Sequence, residues 1–208
     1  MNCNIPKIAI LLLKIILMGE IYTGTKFEYI QKGNKITEHP DLVSLIKWCR
    51  IFHEKQFAPP YPGGSSGNLS IRVKPGSDIF IITASHTALG DSMSDSDFSE
   101  VIYCSENDNI IYAKGEKEPS SESIMHYLIY KNRPEINAIF HGHSEEIMKL
   151  AKQSGFPETD TELEYGTVDL AKDTVNTLKN HNFVILKNHG FISVGETQNE
   201  AGNRILNL

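Results

Sequence analysis

The chain contains little cysteine. Only three cysteines occur in 208 residues, at the widely separated positions Cys3, Cys49 and Cys104. An odd number at such spacing fits neither a disulfide framework nor a Cys-x-x-Cys zinc site. Because disulfide-poor chains are typical of reducing compartments, we expect a cytoplasmic protein.

An excess of positive charge is absent as well. The 20 lysines and arginines are outnumbered by 26 aspartates and glutamates, giving a net charge of −6 at pH 7 with histidine neutral. Such a charge gives no general attraction to the phosphate backbone of nucleic acids. We therefore expect no nucleic-acid partner.

The N-terminal apolar run is too short to cross a membrane. Ile8–Met18 is interrupted by Lys14 and falls short of the roughly 20 residues that span a bilayer. The residues that follow, 19–22, offer no small-x-small cleavage site, which disfavours a secretory signal. We expect no membrane association. For residues 1–26, an N-terminal extension, two alternatives stay open: an extra helix, or an untranslated stretch before a true start at Met18.

The remaining residues, 27–208, have the length and composition of one globular domain. Hydrophobic residues make up 40% of the chain and charged residues 22%, both ordinary values. This length is sufficient for a substantial core. The sequence contains no internal repeat, no linker and no low-complexity segment.

Short hairpins alternate with amphipathic helices from residue 40 to residue 194. Apolar residues at helical spacing, turn residues between paired apolar runs, and capping serines identify these elements. The mixture favours the α/β class, with one largely antiparallel sheet and helices on both faces. In chain order, the predicted elements are helix 40–57, strands 69–73 and 79–83, strands 101–103 and 110–112, a helix from Ser120 or Ser121 to before Pro134, a strand ending at His141, a helix from Ser144, a helix over 167–178, and strands 183–186 and 191–194.

Two histidines end one of the predicted strands. The apolar run Ile136–Phe140 leads into His141-Gly142-His143. Side chains at i and i+2 leave a strand on the same face, so both imidazoles point the same way. A third candidate, His189, also follows an apolar strand. Three histidines with one open position are the catalytic zinc pattern, whereas the alternative is a pair of hydrogen-bonded histidines at a strand end.

Further motifs accompany these histidines in a fixed order. They are Gly67-Asn68-Leu69-Ser70-Ile71-Arg72, Ile81-Ile82-Thr83-Ala84-Ser85, Pro119-Ser120-Ser121-Glu122 with His126, Arg133-Pro134-Glu135-Ile136-Asn137-Ala138, His141-Gly142-His143, Tyr165-Gly166-Thr167, Asn188-His189-Gly190 and Val194-Gly195-Glu196-Thr197. In this order the series resembles the class II aldolase/adducin family over about residues 40 to 201. The resemblance implies a three-layer α/β/α fold with a single, mostly antiparallel central sheet. It also implies one Zn²⁺ per chain, another divalent metal being possible, and a homotetramer with sites between subunits.

Glu122 is the catalytic residue that the resemblance implies. It follows two serines at the start of a predicted helix, where the helix dipole would lower its pKa. The alternative is a glutamate that only caps the helix. A glutamate here, in place of the aspartate usual in the epimerase branch, favours aldolase chemistry. His126, one turn further on, is expected to support the site or the core and not to bind metal.

A second set of residues resembles the phosphate site of the family. Hydroxyls, an amide and exposed backbone N–H groups can hold a phosphate without lysine or arginine. This sequence departs from the pattern of the family at two positions. In the phosphate loop, His86 replaces a glycine. In the histidine motif, Gly142 replaces the commoner Thr or Ala between the two expected ligands. The expected phosphate-binding residues are Gly67, Asn68, Thr83, Ser85, Ser120 and Ser121.

The resemblance favours a zinc-dependent aldolase that cleaves a small phosphorylated ketose into dihydroxyacetone phosphate and a short aldehyde. His141, His143 and His189 would hold the metal, and Glu122 would transfer a proton. The C-terminal tyrosine acid of family aldolases has no counterpart here, which leaves Tyr165, Tyr61 or metal-bound water. Alternatives are a pentulose-phosphate 4-epimerase, a ketose-phosphate dehydratase, or a non-catalytic, adducin-like assembly domain.

Overall fold

The computed structural model describes residues 24–208. Most of the expected N-terminal extension therefore lies outside the described residues, and with it both alternatives for that segment. Residues 24–208 form five α-helices and ten strands. The helices are α1 (Leu42–Glu54), α2 (Ser123–Asn132), α3 (Glu145–Gln153), α4 (Val168–Leu178) and α5 (Gln198–Leu206). The strands are β1 (Glu28–Gln31), β2 (Pro60–Tyr61), β3 (Gly64–Ser65), β4 (Gly67–Arg72), β5 (Phe80–Thr83), β6 (Phe98–Ser105), β7 (Ile110–Lys114), β8 (Ala138–Gly142), β9 (Phe183–Leu186) and β10 (Gly190–Gly195).

Eight of these strands form one sheet, in the order β1-β7-β6-β5-β4-β8-β10-β9. The β1–β7 pair is parallel, and all the other neighbours are antiparallel. The mostly antiparallel sheet predicted from the hairpins is thus confirmed. Strands β2 and β3 pair separately in a small hairpin beside it.

Helices cover both faces of the sheet, which confirms the three-layer α/β/α arrangement. Alternation along β8 shows why, because Phe140 packs into one core and its neighbour Ile139 into the other. The first core includes Phe52 of α1 together with residues of α3 and α5. The second is built on α2 and α4. No helix of residues 24–208 is long and apolar enough to span a bilayer.

The start of α2 differs from the prediction. The first helical residue is Ser123 with Glu122 as its N-cap, not Ser120 or Ser121. Ser120 instead forms a turn ahead of the helix, because its carbonyl accepts the N–H of Ser123 at 3.0 Å and its hydroxyl accepts the N–H of Glu122 at 3.3 Å. The turn leaves both serines beside the end of the sheet, where the candidate site lies.

Candidate active site

Strand β8 positions the first two histidines, His141 within it and His143 directly after its end. His141 lies in β8, which is paired with β4 on one side and β10 on the other. His143 follows directly, and its backbone N–H donates to the carbonyl of Phe57 at 2.8 Å. The two ring centroids are 4.7 Å apart. The structure therefore places both imidazoles side by side, as the i, i+2 spacing predicts.

The β9–β10 turn supplies the third histidine. Asn188 adopts a left-handed φ of 57°, a conformation that asparagine tolerates better than most residues. The N–H of His189 then donates to the carbonyl of Leu186 at 3.0 Å. Its ring stacks on that of His141 with centroids 5.1 Å apart, and lies 4.6 Å from that of His143.

The three histidines suit a cation such as Zn²⁺. One nitrogen from each lies within 4.8 Å of the others, and they form the one such group of potential ligands found in residues 24–208. His141 donates through Nδ1 to the carbonyl of Phe191 at 2.9 Å, which leaves a lone pair on Nε2. This Nε2 lies 2.9 Å from Nε2 of His143. Two nitrogens on one tetrahedral zinc would be about 3.3 Å apart, given Zn–N distances of about 2.0–2.1 Å.

The environment keeps the imidazoles of His141 and His143 neutral, as cation binding requires. Burial, reinforced by the neighbouring imidazoles, lowers the pKa of His141 well below its ordinary value. Burial and the adjacent His189 do the same to the pKa of His143. Neutral imidazoles are the form of histidine that binds metal.

Glycines allow the chains around the histidines to approach closely. A Cβ on Gly190 would meet the carbonyl oxygen of Gly142 and lie 3.0 Å from Cε1 of His141. At Gly142 a Cβ would lie 2.6 Å from both the Phe191 ring and the carbonyl oxygen of Phe57. The glycine between His141 and His143 is therefore required by the packing of this chain, because the Phe191 ring fills the space that a side chain would occupy.

Glu122 faces the histidines from the start of α2. Its carboxylate is buried, and Oε1 lies 3.6 Å from Nε2 of His189. The same oxygen accepts the backbone N–H of Gly166 at 3.1 Å. Although Glu122 occupies the N-cap position, its side chain makes no capping hydrogen bond to α2. The carboxylate is thus directed toward the histidine cluster and not toward its own helix.

His126 is buried behind this cluster and is not part of it. Its side chain is fully enclosed, with Nδ1 2.8 Å from the hydroxyl of Ser70, which in turn lies 2.8 Å from the hydroxyl of Tyr130. Burial lowers the pKa of His126 to about 3. A neutral core histidine agrees with the expectation that His126 is not a metal ligand.

Most of the expected phosphate-binding residues line one cavity of about 100 Å³ together with Glu122 and the three histidines. Gly67 has a φ of 146°, and a Cβ there would lie 2.7 Å from the carbonyl oxygen of His141. In the described part of the chain, the cavity wall contains no lysine or arginine, and Oδ1 of Asn68 has no hydrogen-bond partner. The expected residues that line the cavity are Gly67, Asn68, Ser85, Ser120 and Ser121.

Thr83 is the exception among the expected residues. It is buried between strands and does not line the cavity. Its hydroxyl instead accepts the backbone N–H of Leu69 at 3.3 Å. Thr83 thus contacts the neighbouring strand β4 and not the cavity, because a strand residue with a short side chain reaches only its neighbours.

Several wall residues were not anticipated from the sequence. The cavity is also lined by Ser65, Ser66 and Thr87. The glycine-rich loop Gly63–Gly67, which carries the two serines, was the sequence feature that could have indicated them. Tyr61 and Tyr165, the two tyrosines considered as acids, also line it. The Tyr165 hydroxyl donates to the carbonyl of Gly24 at 3.2 Å.

Comparison with known proteins identifies relatives of similar sequence. The family model for the Class II Aldolase and Adducin N-terminal domain matches residues 43–208. The L-fuculose phosphate aldolase of Methanococcus maripaludis is 31% identical over 175 residues, covering 77% of this chain and 88% of that protein. The methylthioribulose-1-phosphate dehydratase of Enterobacter sp. is 30% identical over 117 residues, covering 56% and 52%.

A solved structure supports the same fold. An L-fuculose 1-phosphate aldolase superposes with a TM-score of 0.66 at 24% identity, covering 82% of each chain. The resemblance drawn from the ordered motifs is confirmed by the match of the family model over residues 43–208. This chain therefore belongs to the class II aldolase and adducin family.

Proposed function

We propose that this chain is a zinc-dependent aldolase that cleaves a small phosphorylated ketose into dihydroxyacetone phosphate and a short aldehyde. The observation that carries the proposal is the position of Glu122, with Oε1 3.6 Å from Nε2 of His189 in a cluster of three histidines. A metal-binding group and a carboxylate in one cavity are what proton transfer beside a polarised carbonyl requires. The similarity to L-fuculose phosphate aldolases favours cleavage as the reaction.

Each residue has a defined part in this proposal. His141, His143 and His189 would hold Zn²⁺, which when bound supplies Lewis-acid stabilisation of the negative charge that develops on substrate oxygens. In cleavage, the hydroxyl of the future aldehyde would lose its proton to Tyr61, Tyr165 or water as the carbon–carbon bond breaks, and Glu122 would deliver a proton to the carbon next to the carbonyl. In the reverse, synthetic direction Glu122 would remove that proton from the carbon. Its hydrogen bond from Gly166 keeps the carboxylate oriented.

The phosphate would bind at the other wall of the cavity. Hydroxyl, amide and backbone N–H groups of Gly67, Asn68, Ser120 and Ser121 would provide the neutral hydrogen-bond donors that an anion site needs. Ser85 also lines the cavity and would act indirectly, because its N–H and its hydroxyl already donate to the carbonyls of Glu118 and Pro119. Thr83 would act indirectly, through its hydrogen bond to β4.

Metal content tests the first half of the proposal. We expect about one zinc per chain in untagged protein and its loss in His143→Ala, because that variant removes one of three ligands. His181→Ala, at an exposed position outside the cavity, is the matched control and should keep the metal. A different divalent ion, lost in the same way, would change the cofactor only. Wild-type protein that stays metal-free after incubation with zinc would favour a non-catalytic, adducin-like domain.

Product analysis tests the second half. Cleavage of a ketose phosphate gives two molecules, whereas epimerisation or dehydration gives one, and NMR of the products distinguishes them. Dehydration is the second candidate, because the relatives include methylthioribulose-1-phosphate dehydratases, although these match over only 56% of this chain. A 4-epimerase is disfavoured by the glutamate at position 122.

We also propose, from the family resemblance, a cytoplasmic homotetramer in which residues 27–208 form the folded unit. Phe27 supports this boundary, because it is buried in the core formed with α2 and α4. Light scattering on the purified protein gives the oligomeric state. A monomeric mass would contradict the tetramer and leave the chemistry of the cavity to be judged separately.

A further inference from the structure

His86 lies at the cavity wall in a backbone conformation that is uncommon for residues other than glycine. Its φ is 53°, in the left-handed region where a Cβ is sterically disfavoured. Such conformations persist only where the surrounding structure enforces them, and they concentrate at ligand sites. The position of this strained residue in the wall of the candidate active site therefore calls for a functional explanation.

Hydrogen bonds on both sides hold the His86 turn in place. Ser85 donates its N–H to the carbonyl of Glu118 at 2.9 Å and its hydroxyl to the carbonyl of Pro119 at 2.8 Å. On the other side, the carbonyl of Thr87 accepts the N–H of Ser65 at 3.2 Å. The turn thus connects the segment that leads to Ser120 with the β2–β3 hairpin, and the backbone of His86 lies between two walls of the cavity.

The imidazole adds a donor that the rest of this wall does not provide. Both donors of the neighbouring Ser85 are bonded to backbone carbonyls, so Ser120 and Ser121 supply the hydroxyls beside it. The described cavity wall contains no lysine or arginine. His86 is exposed, so its ring lies at the mouth and does not fill the interior. A ring at the mouth can contact the end of a ligand whose other end reaches the three histidines.

We propose that His86 is a specificity-determining residue that donates an imidazole N–H to the terminal anion of a phosphate monoester. The inference rests on the proposed function in taking the wall that carries Ser120 and Ser121 as the end of the cavity that binds phosphate. A hydrogen bond to a charged oxygen is stronger than one to a neutral group. His86 would therefore favour phosphorylated over neutral ligands and leave the reaction at the histidine cluster unchanged.

The test measures binding of inorganic phosphate to the full-length, metal-loaded protein by isothermal titration calorimetry. His86→Gly should weaken phosphate binding about tenfold, the loss expected for one hydrogen bond to a charged group at an exposed position. Binding of neutral dihydroxyacetone should not change. His53→Gln replaces another exposed histidine, outside the cavity wall, and should bind phosphate as wild type does.

Glycine is chosen as the replacement because it adopts a φ of 53° without strain, so the variant is expected to fold as wild type does. Its thermal midpoint and metal content should not fall. Equal phosphate affinity in wild type and His86→Gly would overturn the proposal, as would the absence of phosphate binding to wild type. Tighter binding by the variant would also overturn it, because the ring would then obstruct the ligand. Failure of the aldolase assignment is seen separately, in metal content and in the cleavage products.

Discussion

At the scale of single residues, the carboxylate of Glu122 accepts a hydrogen bond from a neighbouring loop and makes none that caps its own helix. A glutamine has the same shape and can still accept the N–H of Gly166, but it cannot take up a proton. We therefore expect Glu122→Gln to lower kcat for ketose-phosphate cleavage by roughly 10²–10⁴-fold, the usual contribution of a general acid–base group. Steady-state kinetics on the purified variant measures this loss.

Metal content provides the control for that variant. Glu122 does not belong to the group of expected metal ligands, His141, His143 and His189. Glu122→Gln should therefore retain the same amount of metal per chain as wild type. Loss of the metal would show that the carboxylate holds the cluster together. Unchanged kcat with full metal content would mean that another group transfers the proton.

At the candidate site, the sequence predicts the direction of side chains on one strand better than contacts between different segments of the chain. His141 and His143 are one strand step apart, so their common direction follows from backbone geometry alone. The contact of His189 with them depends on the left-handed turn at Asn188, which local pattern does not specify. Thr83 was expected to bind phosphate because a hydroxyl suits an anion site. In the structure this hydroxyl instead accepts the Leu69 N–H between two strands.

At the scale of elements, α5 packs against α1 through a glycine. A Cβ on Gly202 would overlap the Trp48 ring, including Cε3 at 2.6 Å. In an exposed helix, replacing glycine by alanine stabilises by about 0.5–1 kcal/mol. Here we expect the opposite sign, because overpacking a filled core costs about 1–3 kcal/mol. Urea unfolding of Gly202→Ala measures the change.

The neighbouring position supplies the comparison. Asn203 is exposed in the same helix, and Asn203→Ala should be neutral or slightly stabilising because alanine has the higher helix propensity. If Gly202→Ala were as stable as Asn203→Ala, the contact between α5 and α1 would be loose enough to absorb a methyl group.

Elements with a clear apolar period were predicted, and those without one were missed. Strand 183–186 and the β4–β5 hairpin were predicted nearly as the structure has them, whereas β6 extends beyond the predicted 101–103 at both ends. Strand β1 was missed because none of its residues is fully buried, so its side chains show no alternation. Helix α5 was missed because only Ala201, Gly202 and Ile205 are buried, and alanine and glycine give a weak signal.

At the scale of the whole molecule, buried neutral histidines make stability depend on pH. Burial lowers the pKa of His126 to about 3 from its ordinary value of 6.5. Below pH 6.5, His126 therefore binds a proton in the unfolded chain but stays neutral in the folded chain. The free energy of unfolding falls as the pH drops. From pH 7 to pH 5, this one group should cost about 2 kcal/mol of unfolding free energy.

His126→Gln isolates this effect, because glutamine can hydrogen-bond to Ser70 but does not titrate. Urea unfolding at pH 7 and pH 5 should show a smaller loss in the variant than in wild type, by about 2 kcal/mol. Equal losses in both proteins would mean that His126 accepts a proton in the folded state.

The central position of β8 affects how the molecule opens. All five residues of this strand are buried, and the ladders of β4 and β10 enclose it on both sides. Local fraying begins at edges and termini, where few contacts must be broken. The backbone that carries His141 can separate from its neighbours only when the whole sheet comes apart, so its amide protons should be among the last to exchange with solvent. A bound ion would then leave through the cavity mouth, at a rate governed by its ligands and not by breathing of the fold.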